Sequence, residues 1–129
     1  VILLIAANLE KAALHRLAKF AKSFDLEVLM EVHDEIELEE NMSPFIDLIG
    51  VNNRNLKTFE VNIDISLRLA ELIPNEFVKV AESGLNSSDE IIVLQKAGYK
   101  GFLIGESFMK TDNPGAACEK LIKEVENNI

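Results

Sequence analysis

Five short apolar runs constrain this chain more than any other feature: Val1–Ala7, Leu26–Val32, Ile46–Val51, Phe77–Ala81 and Phe102–Ile104. Each is bounded by turn residues and followed by a stretch with helical spacing. Runs this apolar offer no face to water, so as strands they need cover on both sides, the condition of a parallel sheet wrapped by helices. The intervening stretches supply the cover. Glu10 to Ser23 places Leu14, Leu17, Ala18 and Ala21 on one face. Asp34 and Glu37 have capping-box spacing for a short second helix that Ser43-Pro44 stops. Asp64 is expected to cap a third, with Ile65, Leu69, Leu72 and Ile73 facing the sheet before Pro74. Ser87 and Glu90 open a fourth that buries Ile91, Ile92 and Leu94 and ends at Gly98, and Asn113-Pro114 starts the last.

Two architectures repeat strand and helix in this way, the doubly wound sheet and the (β/α)₈ barrel. A doubly wound nucleotide binder carries a glycine-rich fingerprint after its first strand, whereas Ala6-Ala7-Asn8-Leu9 stands there. A complete barrel needs about 250 residues and eight strands. With 129 residues and five strand-like runs, the expected fold is α/β, about five βα units from the latter part of a parallel (β/α)₈ TIM barrel, as one domain over 1–129. The opening run reads as a strand that lacks its beginning. It is too short for a membrane span, and no basic segment precedes it as a signal peptide would require.

Charge narrows the partners. Thirteen Lys and Arg against 22 Asp and Glu leave −9 formally, which argues against a general basic field for nucleic acid or an anionic membrane. Any phosphate must be held locally, by backbone amides or one placed cation. The single cysteine, Cys118, forms no internal disulfide and suits a reducing, cytoplasmic setting; it is read as a small buried apolar residue of the last helix.

Polar residues recur where the strands end, and the period of two tests whether they converge. Leu29, Glu31 and His33 share one face of the second strand; Leu48, Gly50 and Asn52 one face of the third; Val80 and Glu82 one face of the fourth. Met30, Val32, Ile49 and Val51 take the opposite face and suit packing under helices. Glu31, Asn52 and Glu82 are therefore expected to point into one mouth at the carboxyl ends of the strands, where barrels keep their chemistry. Paired carboxylates there can have raised pKa values suited to proton transfer; the plainer alternative pairs each with a Lys or Arg. Asn52-Asn53 also suits a turn. His33 beside Asp34 is read as a loop or cap residue and His15 as a surface residue. Histidines on separate units give no metal-ligand spacing, and no metal or cofactor is implied. Two glycine turns follow consecutive strands, Ser83-Gly84 and Gly105-Glu106-Ser107, the second leading into Phe108-Met109-Lys110. Barrels often bind phosphate at the loops after their last two strands.

Four stretches together carry a family pattern. Leu29-Met30-Glu31-Val32-His33, Ile49-Gly50-Val51-Asn52-Asn53-Arg54-Asn55-Leu56, Val80-Ala81-Glu82-Ser83-Gly84-Leu85 and Phe102-Leu103-Ile104-Gly105-Glu106-Ser107-Phe108-Met109 resemble indole-3-glycerol phosphate synthase, in that order and over essentially the whole chain. The resemblance implies a barrel lyase of tryptophan biosynthesis. It closes the indole ring of 1-(2-carboxyphenylamino)-1-deoxyribulose 5-phosphate with loss of carbon dioxide and water. Glu31 then matches the general base, Asn52 a substrate-binding residue, and Glu82 a carboxylate that orients and polarises the substrate. Ser83, Gly84, Gly105 and the amide of Glu106 match the phosphate cradle, with Arg54 adding a cation and the Glu106 side chain turned away.

By the same resemblance the chain holds the fourth to eighth units, and no stretch here resembles the lysines, first-strand glutamate and covering loop of the first ones. The expectation is a carboxyl-terminal portion that keeps the base and the cradle but is inactive alone, and that binds either the missing part of the barrel or itself through exposed sheet edges. Two alternatives stand beside it. One is another phosphate-binding barrel such as phosphoribosylanthranilate isomerase, which would want a catalytic Cys–Asp pair, while Cys118 lies at the last helix. The other is a non-catalytic half-barrel.

Overall fold

Strand order decides between the two architectures. In the computed structural model, which describes residues 1–129, five parallel strands form one sheet in the order β1-β2-β3-β4-β5. They are β1 (Ile2–Ile5), β2 (Val28–Val32), β3 (Leu48–Asn52), β4 (Val78–Glu82) and β5 (Gly101–Leu103). A doubly wound sheet reverses its order at a switch point, whereas sequential right-handed crossovers put every helix on one side. That is the construction of a barrel wall. The helices are α1 (Lys11–Lys22), α2 (Glu35–Asn41), α3 (Asp64–Ala70), α4 (Ser88–Lys96), α5 (Glu106–Met109) and α6 (Pro114–Asn127). The fold is thus α/β, a parallel sheet of barrel type carrying five strand units.

The core lies between sheet and helices. Met30, Val32, Ile49, Val51 and Ala81 are fully buried from the strands, and Leu14, Ala18, Leu38, Leu69 and Leu94 meet them from α1 to α4. Register keeps the opposite face in step: Glu31 pairs with Gly50, and Gly50 with Val80, while Asn52 pairs with Glu82 and Glu82 with Leu103. Leu3 on β1 and Leu103 on β5, which share that uncovered face, are 47% exposed each.

Local signals act as their chemistry requires. Ser87 and Glu90 form the full capping box of α4, Asp34 accepts the Glu37 N–H at α2, and Asn113 caps α6. Gly98 takes a φ of +107°, the left-handed position that releases the chain from α4. Other expectations fail. Asp64 is the first residue of α3 and caps nothing; Asn62 Oδ1 accepts the Asp64 N–H instead. Because α3 ends at Ala70, Leu72 falls beyond it and is exposed, and Ser66 and Ala70 take buried places beside Leu69 and Ile73. Cys118 is only half-buried, since α6 buries little besides Leu121.

Candidate active site

Glycine at position 50 explains how a carboxylate fits over the middle of the sheet. A Cβ there would overlap Glu82 Oε1, so the bare backbone of β3 leaves the room in which the Glu82 side chain lies. Glu31, one strand further, stands beside it. Both are buried, Glu31 8% and Glu82 4% exposed, and Glu82 Oε1 has no hydrogen-bond partner. Burial, followed by hydrogen bonding to Glu31 and the charge on Glu31, pushes the Glu82 carboxyl up to about 9. Two carboxylates this close in a dry site cannot both ionise at neutral pH. Glu82 is the member that keeps the proton.

The turn after β4 is held from outside. Ser83 and Gly84 both have φ near +69°, left-handed backbone that glycine adopts freely and serine only when its surroundings impose it. The imposing group is Asn53. Its N–H donates to the Glu82 carbonyl at 2.8 Å, and its side-chain Nδ2 donates to the Ser83 carbonyl at 3.2 Å. Ser66 Oγ in turn donates to Asn53 Oδ1 at 2.5 Å, and the buried Tyr99 hydroxyl donates to the Ser66 carbonyl at 2.7 Å. A Cβ on Gly84 would overlap Val61, so the long loop between β3 and α3 closes over this turn only because the residue is glycine.

A cavity of about 610 Å³ opens at this end of the sheet. It gathers Glu31, Glu82, Ser83, Gly84, Gly105, Glu106 and Arg54, with Leu3 and Leu103 as its apolar walls. Seven of the eight residues singled out in the sequence therefore share one space. Asn52 does not. Its Oδ1 accepts the Arg54 N–H at 2.9 Å, and it lines a neighbouring cavity with His33, Asp34 and Arg54. Arg54 is engaged as well: Nη1 donates to the Phe59 carbonyl at 3.1 Å, and Nη2 lies 3.3 Å from Glu106 Oε2. The Glu106 carboxylate is solvent-exposed yet paired with the cation expected to serve an anion, so it turns away less completely than foreseen. Gly105 has nothing within 4 Å of a built Cβ; open space, not steric need, surrounds it.

Sequence reasoning passed over three residues. Lys110, after α5, is a second cation on the cavity wall. Asn53, a residue that suits a turn, holds the Ser83 turn through both its N–H and its side chain. His33 lies in the bend after β2, as a loop residue, yet stands between Glu31 and Glu37, its Nε2 3.6 Å from Glu31 Oε2. Its strand parity with Glu31 was the signal that pointed there. His15 is exposed on α1 and sets its ring edge-on to Phe45, centroids 5.2 Å apart. None of the His, Cys, Asp and Glu residues cluster as metal ligands, and no helix is long and apolar enough to cross a membrane.

A singly wound parallel sheet with buried carboxyls and glycine turns at the carboxyl ends of its strands defines a protein of the α/β-barrel class. A mutant flavocytochrome b2 structure superimposes on 89% of this chain and 33% of its own, with a TM-score of 0.72 at 14% identity, a likeness of fold alone. The chain belongs to the indole-3-glycerol phosphate synthase family, whose model matches residues 1–121. The indole-3-glycerol phosphate synthase of Koribacter versatilis is 51% identical over 121 residues, 94% of this chain and 46% of the relative. That of Polaromonas naphthalenivorans is 46% identical over 123 residues, 95% of this chain and 47% of the relative. The chain thus spans about half the length of these curated relatives.

Proposed function

We infer that this chain supplies the carboxyl-terminal half of the mouth of an indole-3-glycerol phosphate synthase. The reaction is the decarboxylating, dehydrating ring closure of 1-(2-carboxyphenylamino)-1-deoxyribulose 5-phosphate, a carbon–carbon lyase step of tryptophan biosynthesis in the cytoplasm. The observation that carries the reading is the unequal pair of buried carboxyls on one face of the sheet. Glu82, held neutral, can donate a hydrogen bond to a substrate oxygen and polarise it; Glu31 is the group left to accept a proton. One strand end away, the backbone amides of Ser83, Gly84 and Glu106 can cradle the phosphate, with Arg54 and Lys110 as nearby cations. Asn52, beside Arg54, would touch substrate from the adjoining cavity.

General acid–base catalysis needs both partners positioned together, and no stretch of this chain matches the lysine that the family resemblance gives as the acid. The 129-residue chain by itself is therefore inactive, and it regains turnover when the first units of the Koribacter versatilis relative are supplied as a second chain. An indole-forming assay with the substrate tests this. Turnover by the chain alone near that of an intact synthase overturns the reading of an incomplete mouth. No turnover in the complemented pair, or a complemented Glu31→Gln that keeps full turnover where roughly 10²-fold loss is expected, overturns the assignment of the base.

The free edges of β1 and β5 and the exposed Leu3 and Leu103 support a second expectation, association with that missing part or with another copy. Light scattering reads it: mass rising with concentration is expected, and a monomer at every concentration counts against it.

A further inference from the structure

Glu31 lies on β2 and His33 in the bend just past it, and the imidazole ends up between two carboxylates. Nε2 lies 3.6 Å from Glu31 Oε2, and Nδ1 lies 3.3 Å from Glu37 Oε2. Glu37 is itself fixed. The same Oε2 accepts the His33 backbone N–H at 2.7 Å, while the Glu37 backbone N–H is capped by Asp34. The imidazole is 10% exposed, and its Nε2 is a buried atom without a hydrogen-bond partner.

An ionised Glu37 can only accept, so Nδ1 carries the ring hydrogen. In the neutral ring Nε2 is then a bare acceptor, and it faces Glu31, which as a carboxylate is another. Two acceptors confronting each other away from water are unfavourable unless a proton lies between them.

We propose that His33 is the proton relay and positioning partner of Glu31: its bare Nε2, 3.6 Å from Glu31 Oε2 at rest, closes on the carboxyl and takes over the proton that Glu31 removes from substrate. The step balances. A Glu31 carboxyl and a neutral ring become a Glu31 carboxylate and an imidazolium, whose new charge has Glu31 on one side and Glu37 on the other. From there the proton passes to water in the cavity that His33 lines with Asp34, Asn52 and Arg54. The charged groups around the ring are Glu31 near the end of β2, Glu37 and Asp34 at the start of α2, and Arg54 across that cavity. Relay during turnover rests on the synthase reading above; the tautomer and the facing of Nε2 on Glu31 do not.

The first test needs only this chain. Long-range ¹H–¹⁵N spectra of ring-labelled protein are expected to show hydrogen on Nδ1 and a bare Nε2 whose shift moves in Glu31→Ala, when the facing carboxylate is gone. Hydrogen on Nε2 with Nδ1 bare, or an Nε2 shift unmoved by Glu31→Ala, overturns the pairing. The second test uses the complemented synthase. His33→Ala is expected to lower kcat by roughly 10²-fold, the low end of general acid–base effects, with KM unchanged and part of the loss restored by added imidazole. A loss that imidazole leaves untouched, or one confined to KM, overturns the relay. Should His33→Ala fail to fold by circular dichroism, His33→Asn is read in its place by the same criteria. Should the unaltered pair show no turnover, the synthase reading fails, and the spectra alone decide the pairing.

Discussion

The two faces of the sheet are built by alternate residues of the same strands, yet they are governed by different physics. On the helix-covered face Met30, Val32, Ile49 and Val51 are wholly buried among aliphatic side chains, so volume and shape decide what fits. On the open face the neighbours of those residues are Glu31, Gly50 and Glu82. There electrostatics and one absent side chain decide. The lesson is that the period of two lets a single strand serve stability with one parity and chemistry with the other, and each can be changed with the other left in place.

The largest effect separates the faces by volume. Ile49→Ala, at a site with no exposure, is expected to cost about 3 kcal/mol in urea denaturation, whereas Leu103→Ala, 47% exposed on the open face, is expected to cost under about 1 kcal/mol. Equal losses would mean that the open face is packed in solution as tightly as the covered one.

Gly50→Ala comes next, and its sign is the informative part. Replacing a strand glycine ordinarily helps or does little, but here the new methyl meets the Glu82 carboxyl. A loss of roughly 1 to 3 kcal/mol is expected. The double variant Gly50→Ala/Glu82→Ala should recover much of it, because the obstacle is the far end of one side chain. Additive losses in that cycle would place the strain in the backbone instead.

Titration sharpens the comparison further. In the unfolded chain Glu82 has its ordinary value near 4.5; in the folded chain it holds its proton to about 9. Between these values the folded state binds more protons than the unfolded one, so this group's contribution to stability is whole below pH 4.5, declines as pH rises, and is lost by about 9. The slope from one group is at most about 1.4 kcal/mol per pH unit. Glu82→Gln, which cannot titrate, should abolish that decline, and the two stability curves should converge at acid pH and part at alkaline pH. Parallel curves would mean that Glu82 ionises normally in the fold.

The fold was legible where alternation and capping chemistry are local. The five runs fall on the five strands, Ser87 and Glu90 cap α4 as written, and Gly98 ends it. Legibility failed at the two ends of α3, and again where a partner far along the chain decides. Asp64 was displaced as a cap by Asn62, and Leu72 lost its place when α3 stopped at Ala70. At the candidate site, parity alone placed Glu31 and Glu82 on one face. Nothing local disclosed that Asn53 reaches 30 residues ahead to hold Ser83, nor that Gly50 stays bare for Glu82. Parity did align His33 with Glu31; what it lacked was Glu37, one turn along α2, whose carboxylate turns back to the ring.

The smallest effect concerns the rim of the cavity, where the open face meets water. Arg54 is held by Glu106 at 3.3 Å across the space in which the anion is proposed to sit. An entering phosphate would have to take the guanidinium from that carboxylate and would feel its negative charge as it did so. Exposed pairs of this kind contribute little to folding, within about 1 kcal/mol, so Glu106→Gln should leave the urea midpoint nearly unchanged. It keeps the backbone N–H, removes the charge and releases Arg54. Binding of inorganic phosphate to the chain, followed by the amide resonances of Ser83 and Gly84, should tighten by roughly threefold to tenfold, equivalent to about 1 kcal/mol. The gain should shrink as salt is added, since both charges face solvent. If phosphate binds equally well with and without the carboxylate, Arg54 takes no part in holding it, and the cradle rests on the backbone of the two glycine turns and on Lys110.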